Sequence, residues 1–241
     1  MTSSGRTSET GHRYGVLAAS AVVVVAGTLG LIVLADAATE SDGLAAFDPE
    51  LTADAVSHRT TILTAIARTL TFIGSAAVLI PLTVVAALVL WRWTRSLRAP
   101  AVLVLAMIGS TILTSVLKAL IGRARPDAAL VLGRVTETFA FPSGHTLNST
   151  VFYLTLAALV CERINSRRTR TAVLGVAVVI SIGIGLSRVY LGYHWATDVV
   201  AGWTVAIVWL VIVLNAAAFI RHRLDQRRDG PAPAAEGSPP H

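Results

Sequence analysis

The sequence predicts an all-α integral membrane protein: six transmembrane helices in one bundle, with both termini cytoplasmic. Three observations predict it. Of the 241 residues, 54% are hydrophobic and 14% charged, whereas a soluble domain carries about 25% charged residues. Six apolar runs, each close to the roughly 20 residues a hydrocarbon core requires, divide the chain. Arginines crowd every second connection between those runs, which is the pattern of a chain whose cationic loops stay inside.

Residues 1–15, with Arg6 and Arg13, read as a disordered cytoplasmic N-terminus, and 16–223 as the membrane domain. Span one is Val16–Ala35. Arg13, this run and Ala35-Asp36-Ala37 also resemble a cleavable signal peptide, but the run exceeds the 7–15 residues of a signal core, so a retained span is expected. An acidic connection follows, with Asp36, Glu40, Asp42, Asp48, Glu50 and Asp54 read as a solvated face. Asp48-Pro49 suits a helix start, Asp as N-cap and Pro at the first position. Leu51, Ala55, Ile62 and Ile66 recur near helical spacing, so 49–68 is expected to lie along the outer interface.

Span two is Leu70–Trp91, with a kink expected at Pro81. Span three is Ala99–Leu117, span four Thr146–Cys161, span five Thr171–Leu186 and span six Trp195–Ile220. Spans four and five are short, and Pro142–His145 and Ser187-Arg188 would complete them. Arg92, Arg95 and Arg98, then Arg163, Arg167, Arg168 and Arg170, then Arg221, Arg223, Arg227 and Arg228 mark the inner connections and tail. The +6 net charge is thus a topology signal and not a nucleic-acid patch. Residues 224–241, rich in Pro, Arg and Ala, read as a disordered cytoplasmic tail. The single cysteine, Cys161, rules out an internal disulfide and reads as a small apolar residue.

With the N-terminus inside, the connections 118–145 and 187–194 share the outer face. They carry three clusters: Lys118 with Arg125-Pro126; Pro142-Ser143-Gly144-His145; and Ser187-Arg188 with His194 and Asp198. His194 and Asp198 stand four apart at the start of span six and so on one helical face. A carboxylate there fixes the tautomer of the imidazole and leaves its other nitrogen as nucleophile or base. Pro142–His145 opens span four, where unpaired amides and the positive dipole end suit phosphate oxygens. Gly144 allows close approach, Ser143 caps or donates, and His145 is placed to protonate a leaving oxygen. Lys118 is the only lysine, and with Arg125 it reads as a phosphate ligand, whereas Arg123 is equally well a side chain snorkelling to the interface.

Lys118-x6-Arg125-Pro126, Pro142-Ser143-Gly144-His145 and Ser187-Arg188-x5-His194-x3-Asp198 resemble the three-part signature of the type 2 phosphatidic acid phosphatase (PAP2) family, with all eleven positions intact across roughly 70–220. That family in turn resembles the vanadium haloperoxidases. The resemblance implies a PAP2-type bundle acting on a membrane lipid phosphate without metal or other cofactor. It implies that His194 attacks phosphorus to form a phosphohistidine, oriented by Asp198, and that His145 protonates the leaving oxygen and then activates water. Lys118, Arg125, Arg188, Ser143 and Gly144 would hold the phosphate oxygens. The substrate would be phosphatidate, phosphatidylglycerophosphate or a polyprenyl diphosphate, met at the extracytoplasmic face of the plasma membrane, with no nucleic acid and no obligate protein partner involved. Two alternatives stay open: a vanadate-dependent haloperoxidase, and a non-catalytic lipid-phosphate binder or transporter.

Overall fold

The computed structural model describes residues 3–134 and 138–228, and within them it contains helices and no strand. The helices are α1 (Ser3–Glu40), α2 (Asp48–Ser57), α3 (Thr61–Ile73), α4 (Ala76–Thr94), α5 (Arg98–Ile121), α6 (Gly144–Cys161), α7 (Arg167–Tyr190) and α8 (Ala196–Arg228). Short 3-10 turns at Gly43–Phe47 and Ala128–Leu130 complete the described elements.

Five of these helices are long and apolar enough to cross a membrane: Gly15–Glu40 of α1, α4, α5, α7 and Ala196–Gln226 of α8. α6, expected as a sixth span, is not among them. The reason is visible in its burial. Thr146, Ser149, Thr150 and Thr155 are all buried, because α6 packs against α4, α5, α7 and α8 and meets protein on every side. Polar residues at membrane depth are tolerated where they face protein and not lipid. The ends assigned to disorder, 1–15 and 224–241, are helical from Ser3 and as far as Arg228, and the remainder of both lies outside the described residues.

The core follows α6. Phe152 and Leu159 pack with Leu79, Ala86 and Leu90 of α4 and Leu103 of α5. Leu147 and Val151 pack with Ala106 of α5 and with Val205, Ala206 and Leu210 of α8. Lipid is as apolar as leucine, so close packing and interhelical hydrogen bonds hold such a bundle. Trp209 Nε1 donates to the Ala106 carbonyl at 2.9 Å, and Asn215 Nδ2 to Ser20 Oγ at 3.0 Å, tying α8 to α5 and α1.

The connection before α4 differs from expectation. Residues 49–68 do not form one helix: the chain breaks at His58–Thr60 into α2 and α3, and α3 runs on through Leu70–Ile73, which were assigned to span two. The discontinuity falls at Gly74-Ser75, not at Pro81, which lies inside continuous α4. The freed Ile73 carbonyl accepts from Tyr153 Oη at 3.1 Å, so α6 satisfies the break from the protein side.

Candidate active site

Local signals place the expected residues. α5 ends because Gly122 adopts φ +64°, a left-handed cap whose amide returns to the Lys118 carbonyl at 3.0 Å. That leaves Lys118 in the last turn of α5 and sends Arg123 and Arg125 into the chain beyond. Arg188 sits in the last turn of α7, and Gly144 and His145 in the first turn of α6. Three helix ends thus meet at one end of the bundle.

Lys118, Arg125, Gly144, His145, Arg188 and His194 line one cavity of about 300 Å³. The other two expected residues, Ser143 and Asp198, stand behind it, both fully buried. Apolar Ala76, Leu79 and Ile80 of α4 and Met107 of α5 form one wall, and Ile80 is 66% exposed at its edge. A cavity of about 470 Å³ at the far ends of α4, α6 and α8 collects Arg98, Arg163 and Arg221 but none of the histidines.

His194 is buried, with Nδ1 3.3 Å from Asp198 Oδ2 and Nε2 3.3 Å from Arg125 Nη1. A guanidinium only donates, so Nε2 is the acceptor there and the ring proton belongs on Nδ1, against the carboxylate. Burial, and then the charges of Arg188, Arg125 and Lys118, push the His194 pKa well below the usual imidazole range. In that tautomer the Nε2 lone pair faces Arg125. The pair does not share a helical face as the spacing suggests. α8 begins only at Ala196, the His194 amide is held by the Arg188 carbonyl at 3.3 Å, and Asp198 Oδ2 accepts the Trp195 amide at 3.0 Å.

Backbone oxygens fix two of the three cations. Arg125 donates to the carbonyls of Thr138 at 2.6 Å and Tyr193 at 2.7 Å, and burial lowers its pKa against the raising influence of Asp198. Lys118 Nζ donates to the carbonyl of Phe139. Arg188 reaches Thr71 Oγ1 at 2.5 Å and lies 4.0 Å from the Tyr193 ring centroid, yet its Nε is buried without a partner. An unpaired buried guanidinium N–H beside a cavity is a ready donor for an oxyanion. The His145 imidazole lines the cavity and makes no side-chain hydrogen bond among the described residues, so it is placed to meet a ligand.

Ser143 fills a different place from the one expected. Its amide goes to the Asp198 carbonyl at 3.0 Å and its hydroxyl accepts from Thr146 Oγ1 at 3.0 Å, so it joins α6 to α8 and leaves the cavity. Gly144 does border the cavity: a Cβ there would stand 3.0 Å from Thr114 Cγ2 and 4.0 Å from Lys118 Cε.

Three residues were not assigned to the site from sequence. Arg123 does not snorkel; it bonds Asp198 Oδ1 at 2.7 Å. Asp48 is not a solvated N-cap but is 1% exposed, and it accepts from Arg123 Nη2 at 2.8 Å. Asn148 lines the cavity with its Oδ1 buried and unpaired. Arg123 and Asn148 each stood within five residues of a motif, a usable signal; Asp48 had none beyond its charge.

Residues 99–221 match the PAP2 superfamily profile. The chain is 31% identical over 181 residues to phosphatidylglycerophosphatase B of Bacillus subtilis (strain 168), covering 73% of this chain and 86% of that protein. It is 35% identical over 101 residues to lipid A 1-phosphatase of Rhizobium etli, covering 39% of each. Among solved structures, the transmembrane PAP2 type phosphatidylglycerolphosphate phosphatase from Bacillus subtilis superposes with a TM-score of 0.72 at 27% identity, over 85% of this chain and 96% of that one. Aquifex aeolicus LpxE shares the fold, with a TM-score of 0.56 at 22% identity over 70% and 95% of the respective chains. The three residue clusters, the helical architecture and these matches together establish that this chain belongs to the PAP2 superfamily.

Proposed function

We propose that the protein is a metal-independent lipid phosphate phosphatase working through a phosphohistidine. One observation carries the reading: His194, its Nδ1 turned to Asp198, shares a cavity with Lys118, Arg125, Arg188 and His145 beside an apolar wall. Nε2 attacks phosphorus, the bond to the leaving oxygen breaks, and His145 gives that oxygen its proton. His145 then takes a proton from water, whose oxygen displaces Nε2 and releases inorganic phosphate. The three cations hold the non-bridging oxygens, where charge stabilisation supplies most of the rate in phosphoryl transfer. They do so without Mg²⁺.

The apolar wall of Leu79, Ile80 and Met107 suits an acyl or prenyl chain and favours a lipid over a halide or a soluble ester. The relatives' activities put phosphatidylglycerophosphate first among the substrates, ahead of phosphatidate and polyprenyl diphosphate. For topology we read six crossings, α6 included, with cytoplasmic termini and the cavity on the outer face; the arginine-rich alternate connections support this.

Phosphate release from these three lipids, measured on purified protein in detergent with EDTA present, tests the proposal. Turnover should persist under chelation and vanish in His194→Ala. Bromide oxidation with added vanadate, without lipid hydrolysis, would replace this reading with the haloperoxidase one.

A further inference from the structure

A carboxylate in the acidic stretch before α3 belongs in water, and Asp48 is 1% exposed. Its Oδ1 accepts the Thr197 amide at 3.0 Å, and its Oδ2 accepts the Thr197 hydroxyl and, at 2.8 Å, Arg123 Nη2. Arg123, its side chain 8% exposed, gives Nη1 to Asp198 Oδ1 and to Thr197 Oγ1, both at 2.7 Å. The other oxygen of Asp198 faces His194 Nδ1 at 3.3 Å. A line of alternating charge therefore runs from α2 to the imidazole, and none of Asp48, Arg123 and Asp198 borders the cavity that His194 lines.

We propose that Asp48 and Arg123 are positioning residues for His194, acting through Asp198; the inference rests on the reading of His194 as nucleophile. The division of Arg123 between two carboxylates is the physical core of it. A guanidinium given wholly to Asp198 would draw that charge away from the imidazole. Shared with Asp48, it fixes the Asp198 rotamer while leaving Oδ2 its hold on the Nδ1 proton. Thr197, bonded to Asp48 through both amide and hydroxyl, pins the first turn of α8 to α2 and sets where Asp198 points. A buried ion network is weak support for stability by itself, which makes its contact with Asp198 the feature to explain.

The charged and titratable groups that face His194 are Lys118 from α5, Arg125 from the following chain, His145 from α6, Arg188 from α7 and Asp198 from α8. Against this fixed background, Asp48 and Arg123 exert opposite influences. Removing the Arg123 charge leaves Asp198 more anionic toward His194, so the imidazole protonates at higher pH. Removing the Asp48 charge concentrates Arg123 on Asp198, so it protonates at lower pH.

The test uses Asp48→Asn, Arg123→Gln, Arg123→Lys and His194→Ala of the full chain in detergent, with dioctanoyl phosphatidate as probe and kcat, KM and the pH profile of kcat/KM as readouts. Asp48→Asn and Arg123→Gln should lower kcat about tenfold to a hundredfold, with KM within about threefold of the parent. The acid limb should move up in Arg123→Gln and down in Asp48→Asn, each by about half a pH unit or more, while Arg123→Lys restores part of kcat and returns the limb. Parental kcat in both charge-removed variants overturns the inference, as does a loss of kcat with the acid limb unmoved or displaced the same way in both. Should either fail to fold, Thr197→Val decides, because it removes the hydroxyl that bonds both Asp48 and Arg123: kcat should fall with KM near the parental value, and a parental kcat and pH profile there refute the inference. Turnover surviving in His194→Ala would instead sink the phosphohistidine reading, so the two failures are distinguishable.

Discussion

α1 and α6 invert the usual relation between apolarity and burial. The Gly15–Glu40 segment of α1 is the most apolar in the bundle, yet none of its most apolar 18-residue window is buried. α6 is too polar to qualify as a span by composition, yet nine of its 18 residues are buried. In water the apolar helix would be the core. Here lipid solvates α1, and protein must solvate α6. Apolarity in this chain reports contact with lipid, whereas polarity reports contact with protein and chemistry.

Between these two helices the larger expected effect lies on α6. His145→Ala should reduce turnover about a hundredfold to ten-thousandfold, the range for losing a general acid and base, while the protein still extracts as a folded bundle. Leu29→Ala, at a position 58% exposed on α1, should leave turnover unchanged. Equal losses from both would break the comparison, since α1 would then be coupled to the cavity. The measurement is phosphate release per mole of purified protein.

Packing gives the second contrast. Phe152→Ala on α6 empties a fully buried site between α4 and α5, and the cavity should cost about 3–5 kcal/mol. Val25→Ala on α1, 59% exposed, exchanges a lipid contact and should stay within about 0.5 kcal/mol. Unfolding midpoints in one detergent compare the two directly.

The inversion also explains what the sequence could show. Lys118, Arg125, His145, Arg188 and His194 were legible because alternate connections bear arginine and topology alone puts these residues at one end; the cavity then gathers all five. Spans three and five were legible within a few residues from apolar runs, as was the start of span six, although α8 runs on past Ile220 to Arg228. Asp48 was not legible, because a carboxylate in an acidic loop looks solvated until its partners, 75 and 149 residues away, are known. The break at Gly74-Ser75 was hidden as well. Proline advertises a lost amide, but the partner that makes this break tolerable, Tyr153, lies on another helix.

A third effect comes from the connection before α8. The His194 pKa is depressed in the folded state by burial and by Arg188, Arg125 and Lys118, so the unfolded chain binds the extra proton. Its contribution to stability is full above the unfolded value of about 6.5 and is lost as pH falls below it, at about 1.4 kcal/mol per pH unit. His194→Gln should flatten that slope. An unchanged slope would mean that other groups carry the acid sensitivity.

The smallest effect is the sharpest test of why α6 is polar. Its buried residues are not all alike. Thr146 bonds Ser143 and helps seat the turn behind the cavity, whereas the Thr155 hydroxyl is fully buried with no partner. If α6 were polar only because protein tolerates it, such an orphan would be a residual cost. Thr155→Val keeps the shape and removes the unmet hydroxyl, so it should stabilise by about 1 kcal/mol with turnover unchanged. A loss of stability would show that Thr155 has a partner in the working protein, such as an ordered water, and that polarity along α6 is used beyond its first turn.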